Sequence, residues 1–228
     1  MNPDPWLIEI TVLKVTQTSE RFLKLEYLSP TNGLDYGLLR FSPKNQKTLR
    51  PDLFDTAEVH SEHAGQSPSK QHFLDSYSPL KKRDAIGHSY PLLHSASQFA
   101  QFLLDNARHA PDPEEIYQLC LRSFDAFNQV HEQTELKQLK PNQVDSPKKI
   151  KAELAQIILL KALYHFLKIE GFPVDNAWWQ SIPTAEKALA ESILRTPLSE
   201  SSSTPCQYLL SHLSQWIRRE TELSIEPL

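Results

Sequence analysis

Apolar and polar residues follow one period up to about residue 80 and another from residue 90 onward. Leu7–Val15 is dense in Ile, Val and Leu. In Phe22–Leu28, Leu23, Leu25 and Tyr27 alternate with Lys24 and Glu26, the period of two that a half-buried strand requires. Pro30-Thr31-Asn32-Gly33 reads as a turn in which Gly33 can take a positive φ. Tyr36–Phe41 alternates again, and Ala57–His63 and Gln71–Tyr77 are further strand candidates around the loop Ala64–Lys70. Five short strands with no room for crossover helices predict an antiparallel barrel, best matched by an OB-type fold.

From Tyr90 the spacing is helical. Phe99, Phe102, Leu103 and Ala107 stripe Ser95–Arg108. Asp112-Pro113-Glu114-Glu115 is a helix start, with a capping Asp, Pro in the first helical position and acids at the positive end of the dipole. Ile116, Leu119, Cys120 and Phe127 form the stripe of the helix it opens, and the polar, proline-containing stretch His131–Pro147 reads as a linker or a loose helical end. Lys149–Glu170 is apolar on most sides, as befits a helix in the middle of a bundle, and Gly171 is placed to cap it. Thr184–Arg195 and Thr204–Glu222 are two further helices. The predicted fold class is therefore α+β: a five-stranded OB-type β-barrel over residues 1–85, then an all-helical bundle domain over 86–228.

Composition narrows the chemistry. The 228 residues contain only five glycines, and none of them forms a GxGxxG or a P-loop turn, which excludes the common dinucleotide and NTP folds. The two cysteines, Cys120 and Cys206, lie far apart and supply neither a paired zinc motif nor a disulfide framework. MNPDPWLIEI lacks the basic and apolar regions of a signal peptide, and no run reaches the roughly 18 apolar residues of a membrane span. A reduced, cytoplasmic setting without membrane contact is expected.

Catalytic groups do not converge in the sequence. His60-Ser61-Glu62-His63 has metal-ligand residue types, but on a strand His60 and His63 face opposite ways. Cys120 lies on an apolar helical stripe, where a buried thiol is inert. Trp178-Trp179 suits either packing or stacking on a base. Basic clustering is more informative: Arg40, Lys44, Lys47 and Arg50 occur with no acid between them, and Lys81, Lys82 and Arg83 follow the last predicted strand. Both clusters flank the predicted barrel, where a groove could carry a nucleic-acid backbone past aromatic side chains. Residues 1–90 nevertheless hold 11 Lys and Arg against 11 Asp and Glu, so the barrel as a whole is neutral. Lys148, Lys149 and Lys151 make a third cluster at the start of the long helix.

Over most of its length the chain resembles the RecO-type recombination mediators of bacteria. VLKVTQTSERFLKLEYLSPTNGLDYGLLRF is similar to that family's opening: a strand, the pair Ser19-Glu20, an apolar strand, a turn with Thr31 and Gly33, and a third strand running into a basic loop. SASQFAQFLLDNARHAPDPEEIYQLCLRSFDAF resembles its first two bundle helices, and LLKALYHFLKIEGFPVD the helix that ends in Gly and an aromatic residue. Where many members carry a four-cysteine zinc site, Asn176-Ala177-Trp178-Trp179 follows here, and the basic ending of the family is reduced to Arg218-Arg219.

The resemblance implies a non-enzymatic mediator without a cofactor. It would bind single- and double-stranded DNA, anneal complementary strands and assist loading of the RecA recombinase. Its implied partners are RecR and the acidic C-terminal tail of single-stranded-DNA-binding protein, and its implied place is the bacterial cytoplasm, at the nucleoid. Arg40, Lys44, Lys47 and Arg50 would meet phosphates, with Lys81, Lys82 and Arg83 extending the track. An acidic peptide ending in an apolar residue calls for a groove between bundle helices with a basic rim, for which Arg122 and Lys161 are the candidates. The rival expectation, favoured by the net charge of −4, is a protein-interaction adaptor of the same fold with little affinity for DNA. A third, an enzyme with an unrecognised site, has no nucleophile–base pair or ligand set behind it.

Overall fold

The computed structural model describes residues 7–40, 49–61, 72–137, 146–197 and 204–227. Five strands, β1 (Leu7–Gln17), β2 (Phe22–Ser29), β3 (Gly33–Arg40), β4 (Thr56–Ser61) and β5 (Phe73–Lys81), close into a barrel in the order β1-β2-β3-β5-β4. This is the predicted five-stranded OB-type barrel. The predicted loop Ala64–Lys70 lies outside the described residues. Every pairing is antiparallel except the short parallel junction of Leu38 with Phe73 and Leu39 with Leu74, which closes the sheet between β3 and β5. The inward positions of the alternating strands, Leu23, Leu25, Tyr27 and Leu39, join Ile10, Val12, Ala57, Val59 and Leu74 in one buried core.

Gly33 opens β3 with φ +67°, as the turn requires. Gly37 answers a different need. A Cβ there would sit 2.6 Å from the Leu74 Cγ, so the missing side chain is the space that Leu74 fills in the core. The barrel also holds a non-glycine residue at positive φ, Phe54 at 68°, a conformation that disfavours a bulky L-residue. Phe54 is buried, and its amide donates to the Val12 carbonyl at 2.8 Å while the Val12 amide donates to the Asp55 carbonyl at 2.9 Å. That exchange secures the segment leading into β4 against β1.

The remaining chain is helical: α1 (Tyr90–Asn106), α2 (Pro113–Lys137), α3 (Pro147–Ile169), α4 (Trp179–Ser181), α5 (Thr184–Arg195) and α6 (Gln207–Glu220). The start of α2 is as the sequence predicts, with Pro113 first and the Asp112 carboxylate accepting from the Glu115 amide at 3.0 Å. α3 starts two residues before the predicted Lys149, at Pro147, behind a Ser146 cap. At its other end Gly171 takes φ +80°, and the Phe172 amide reaches back to Leu167 in a Schellman cap. α1 begins five residues before the predicted Ser95, because Pro91 is tolerated in a first helical turn.

Of the two readings of His131–Pro147, the helical end holds for His131–Lys137, which is part of α2, and residues 138–145 lie outside the described residues. The polarity of that helical end hid the contacts that hold it: Thr134 is buried, and the His131 Nδ1 lies 3.2 Å from the Lys151 amine. Tertiary contact overrides local propensity here. α6 begins at Gln207 and not at Thr204-Pro205, after a buried Cys206. The helical stretch also contains a π turn over Val174–Trp178 that the periodicity did not show.

The chain divides into two compact units, Met1–Arg83 with Ala107–Gln118, and Asp84–Asn106 with Leu119–Leu228. The predicted boundary at 85 falls within two residues of the break, but 107–118 belongs with the barrel. Local contacts explain this: the Tyr117 hydroxyl donates to Glu9 at 2.8 Å, and a Cβ on Gly33 would touch Pro113 at 3.5 Å. Within the second unit the core is aromatic and aliphatic. Phe102 meets Phe166 edge-on at 4.8 Å, Phe99 meets Phe124 at 5.9 Å, and Trp178 is fully buried with its Nε1 donating to the His212 Nδ1 at 3.1 Å.

The fit of Leu74 over Gly37 makes a prediction. Gly37→Ala should destabilise the barrel by about 1–3 kcal/mol through overpacking. In a Leu74→Ala background the same change should cost less than about 0.5 kcal/mol, because the clashing atoms are gone. Urea unfolding of the four proteins of this cycle measures the difference.

Candidate nucleic-acid interface and partner groove

On β2, Phe22, Lys24 and Glu26 occupy the positions opposite in parity to the buried Leu23 and Leu25, and on β3 Tyr36, Leu38 and Arg40 do the same. The register sets Phe22 beside Arg40, Lys24 beside Leu38 and Glu26 beside Tyr36. The parallel junction then brings in Phe73, next to Leu38, together with His72. Across this outer face Phe22 and Phe73 meet edge-on at 5.9 Å, and Tyr36 and His72 do so at 6.2 Å. The Lys24 amine sits 5.0 Å from the centre of the Tyr36 ring and 3.1 Å from the Glu26 carboxylate. Tyr36 and Phe73 are 38% and 39% exposed, high values for rings on a sheet. The result is a wall of aromatic rings with Lys24 and Arg40 among them.

The predicted basic track divides. Arg40 is exposed at the end of β3, on the aromatic face. Lys44 and Lys47 lie outside the described residues. Arg50 and Lys82 line one cavity of about 540 Å³ together with Val15, Pro51 and Asp52, so the structure joins one member of each predicted cluster. Lys81 is exposed at the end of β5, opposite Thr56.

Arg83 corrects the expectation. It is 2% exposed, and its guanidinium donates to the Phe54 carbonyl at 2.5 Å and to the Thr56 hydroxyl at 2.9 Å. An arginine turned into the barrel wall cannot meet a phosphate. Arg83 lies two residues beyond the end of β5, where strand alternation no longer sets side-chain direction, and the sequence run Lys81-Lys82-Arg83 concealed that.

Asp55 lies beside this arginine anchor. It is 1% exposed, accepts from the Tyr77 hydroxyl at 2.9 Å and from the Asp52 amide at 3.3 Å, and faces the Lys82 amine at 3.8 Å. Burial pushes its carboxyl above the ordinary aspartate range, against the opposing pull of the Tyr77 hydrogen bond and the Lys82 charge. Its Oδ1 has no hydrogen-bond partner.

In the helical unit, Arg122 and Lys161 line a common cavity of about 510 Å³ with His165 and Arg195. Its apolar lining comes from Leu119, Ile158, Ala162 and Leu194. Arg122 is exposed, whereas Lys161 is buried and donates to the Thr196 carbonyl. Burial holds the Lys161 amine below its usual range. His165 is also held down, first by burial and then by the charges of Lys168, Arg122 and Lys161. Arg195 is paired with Glu191 at 2.9 Å. The arrangement offers an apolar floor with the exposed Arg122 at its edge and the buried Lys161 amine within it.

The other residues singled out in the sequence are structural. Cys120 and Cys206 are buried thiols, and Cys206 is pushed up to about 12 by burial, with the Glu153 charge adding to the shift. Trp178 packs in the core. Lys151 is buried against His131, and Lys149 pairs with Glu153 at 3.9 Å. His60 pairs with Asp75 at 3.7 Å. Among the described residues no three His, Cys, Asp or Glu side chains cluster as metal ligands, and no helix is long and apolar enough to cross a membrane.

The aromatic face was missed in the sequence. Its period-two signal places Phe22 with Lys24 and Tyr36 with Arg40, but the partnership with Phe73 depends on the β3–β5 junction, which connects residues distant in the chain. No family model matches this chain, and no curated protein matches it in sequence.

Two stability measurements test the assignments around Arg83. Arg83→Ala should destabilise the barrel by about 2–4 kcal/mol, since it strands the buried Phe54 carbonyl, whereas Lys81→Ala should stay within about 0.5 kcal/mol. Urea midpoints report both. The second test concerns pH. The folded-state pKa of Asp55 is raised, so its contribution is fully present below its unfolded pKa, about 3.9, and is lost as pH rises through the folded value. Urea unfolding from pH 3.5 upward should therefore show Asp55→Asn gaining stability relative to the parent chain, with a plateau once Asp55 has ionised.

Proposed function

We propose that this protein is a RecO-like recombination mediator, one that binds DNA on its barrel, anneals complementary strands and assists RecA loading. The observation that carries the reading is the outer face of β2, β3 and β5, where Phe22, Tyr36, His72 and Phe73 surround Lys24 and Arg40. Strands 2 and 3 form the oligonucleotide-binding face of OB folds, and base–aromatic stacking is indifferent to sequence because every base has a π-face. Arg50, Lys81 and Lys82 provide further cations on the same unit.

The chemistry asked of such a protein is modest. Annealing requires neutralised phosphates and bases held open to pairing, and no bond is made or broken. A non-enzymatic role therefore suits this face. The apolar floor of the groove that Arg122 and Lys161 line suits the apolar end of the acidic tail of single-stranded-DNA-binding protein, with Arg122 exposed to meet its acids, and RecR is the second partner of this reading. Action at the bacterial nucleoid goes with both.

The adaptor reading retains one specific support: the barrel region carries as many acids as bases, and the groove in the helical unit is the more cationic of the two cavities by its lining. Binding to DNA separates the two. Fluorescence anisotropy of a labelled single-stranded oligonucleotide should show micromolar or tighter binding at 50 mM salt that weakens at 200 mM. Tyr36→Ala and Phe73→Ala should each cost about 1–3 kcal/mol of that binding with the salt slope unchanged. Arg40→Ala should lower the slope by about 0.7, one single-strand phosphate contact. No binding at 50 mM salt would leave the adaptor reading.

A further inference from the structure

After α6 the chain runs as an extended strap, Leu223–Glu226, across the helical unit, without joining any helix or sheet. Its polar contacts are made through its main chain. Asn106, the last residue of α1, uses its side-chain amide as a strand would: Nδ2 donates to the Ser224 carbonyl at 2.8 Å and Oδ1 accepts from the Ser224 amide at 2.8 Å. The second Nδ2 proton goes to the Phe102 carbonyl at 2.7 Å, so both amide protons are donated. Arg218 Nε donates to the Ile225 carbonyl at 3.1 Å, and the Ser214 hydroxyl lies 3.5 Å from the Glu226 carbonyl. Leu223 and Ile225 are half-buried and alternate with exposed Ser224 and Glu226. Ile225 forms one wall of a groove whose other walls are Phe102 of α1 and Leu159 and Leu163 of α3, with a cavity of about 10 Å³ between them.

We propose that this groove is a docking site for an extended partner peptide with two apolar residues flanking a small polar one, and that Leu223-Ser224-Ile225 occupies it in cis. The resident strap defines the ligand class. The groove reads the main chain at Ser224 and Ile225 and accepts apolar side chains on alternate positions, the recognition mode of an added strand. Opening it breaks no helix or ladder, only the hydrogen bonds to Asn106, Arg218 and Ser214 and the apolar contact of Ile225, so it is a local event. The tether keeps the strap at an effective concentration in the millimolar range, which a free peptide must outcompete.

The test uses the full chain and a fluorescent peptide of the sequence from Thr221 to Pro227. Ile225→Asp ejects the strap by placing a charge in the groove, and the peptide should bind this variant at least tenfold more tightly than the parent. Adding Asn106→Ala should abolish that binding. Equal binding to parent and variant, no binding to a variant that still melts cooperatively, or binding that survives Asn106→Ala would each overturn the proposal. Should Ile225→Asp fail to fold, hydrogen exchange on the unaltered chain decides. Excess peptide should accelerate exchange of the Ser224 amide, and unchanged exchange would overturn the docking site.

Discussion

Burial of the Arg83 guanidinium is the constraint on which the barrel depends. One cation, removed from water, ties the end of β5 to the carbonyl of Phe54 and to the hydroxyl of Thr56 at the start of β4. Desolvating a guanidinium costs several kcal/mol, and fixed acceptors must offset that cost. The barrel supplies them by holding Phe54 at positive φ, a strained conformation that the Val12–Phe54–Asp55 backbone exchange over-determines. Strain, buried charge and strand closure are thus one arrangement. Removing any part exposes the cost of the others.

The same anchor shapes the surface. With Arg83 turned inward, Lys81 and Lys82 are left exposed at the strand end, and Lys82 reaches both the Asp55 carboxylate and the cavity it shares with Arg50. Asp55 moderates the local positive potential, but its ionisation is itself opposed by burial. The charge that this end of the barrel presents therefore includes a buried acid beside the exposed lysines, which a count of basic residues does not express.

Legibility in the sequence followed the range of the interaction. Local signals were sufficient where chemistry acts within a few residues: the alternation of β2, the Asp112-Pro113 helix start, the positive-φ Gly33 and the cap at Gly171 all appear as read. Elements held by distant partners were left open in the sequence or not legible there. α2 extends through His131–Lys137 because Lys151 and the burial of Thr134 support it, and residues 107–118 join the barrel through Tyr117 and Glu9. The site shows the same division. Arg122 and Lys161 line one cavity, Lys161 from a buried position, while Arg83 leaves the basic track and the aromatic face appears only once β3 and β5 are paired.

A neutral barrel and a nucleic-acid face are compatible when stacking carries a share of the affinity. Counterion release scales with the number of phosphates neutralised, so each cation of the face adds both to the affinity and to its fall as salt rises. Aromatic rings add a salt-insensitive contribution of about 1–3 kcal/mol per base, available only where bases are unstacked. Such a surface discriminates single strands from duplex by geometry rather than by charge. It also releases them without having to shed a strongly bound phosphate backbone. That balance suits a protein whose proposed task is to hold a strand until its complement arrives.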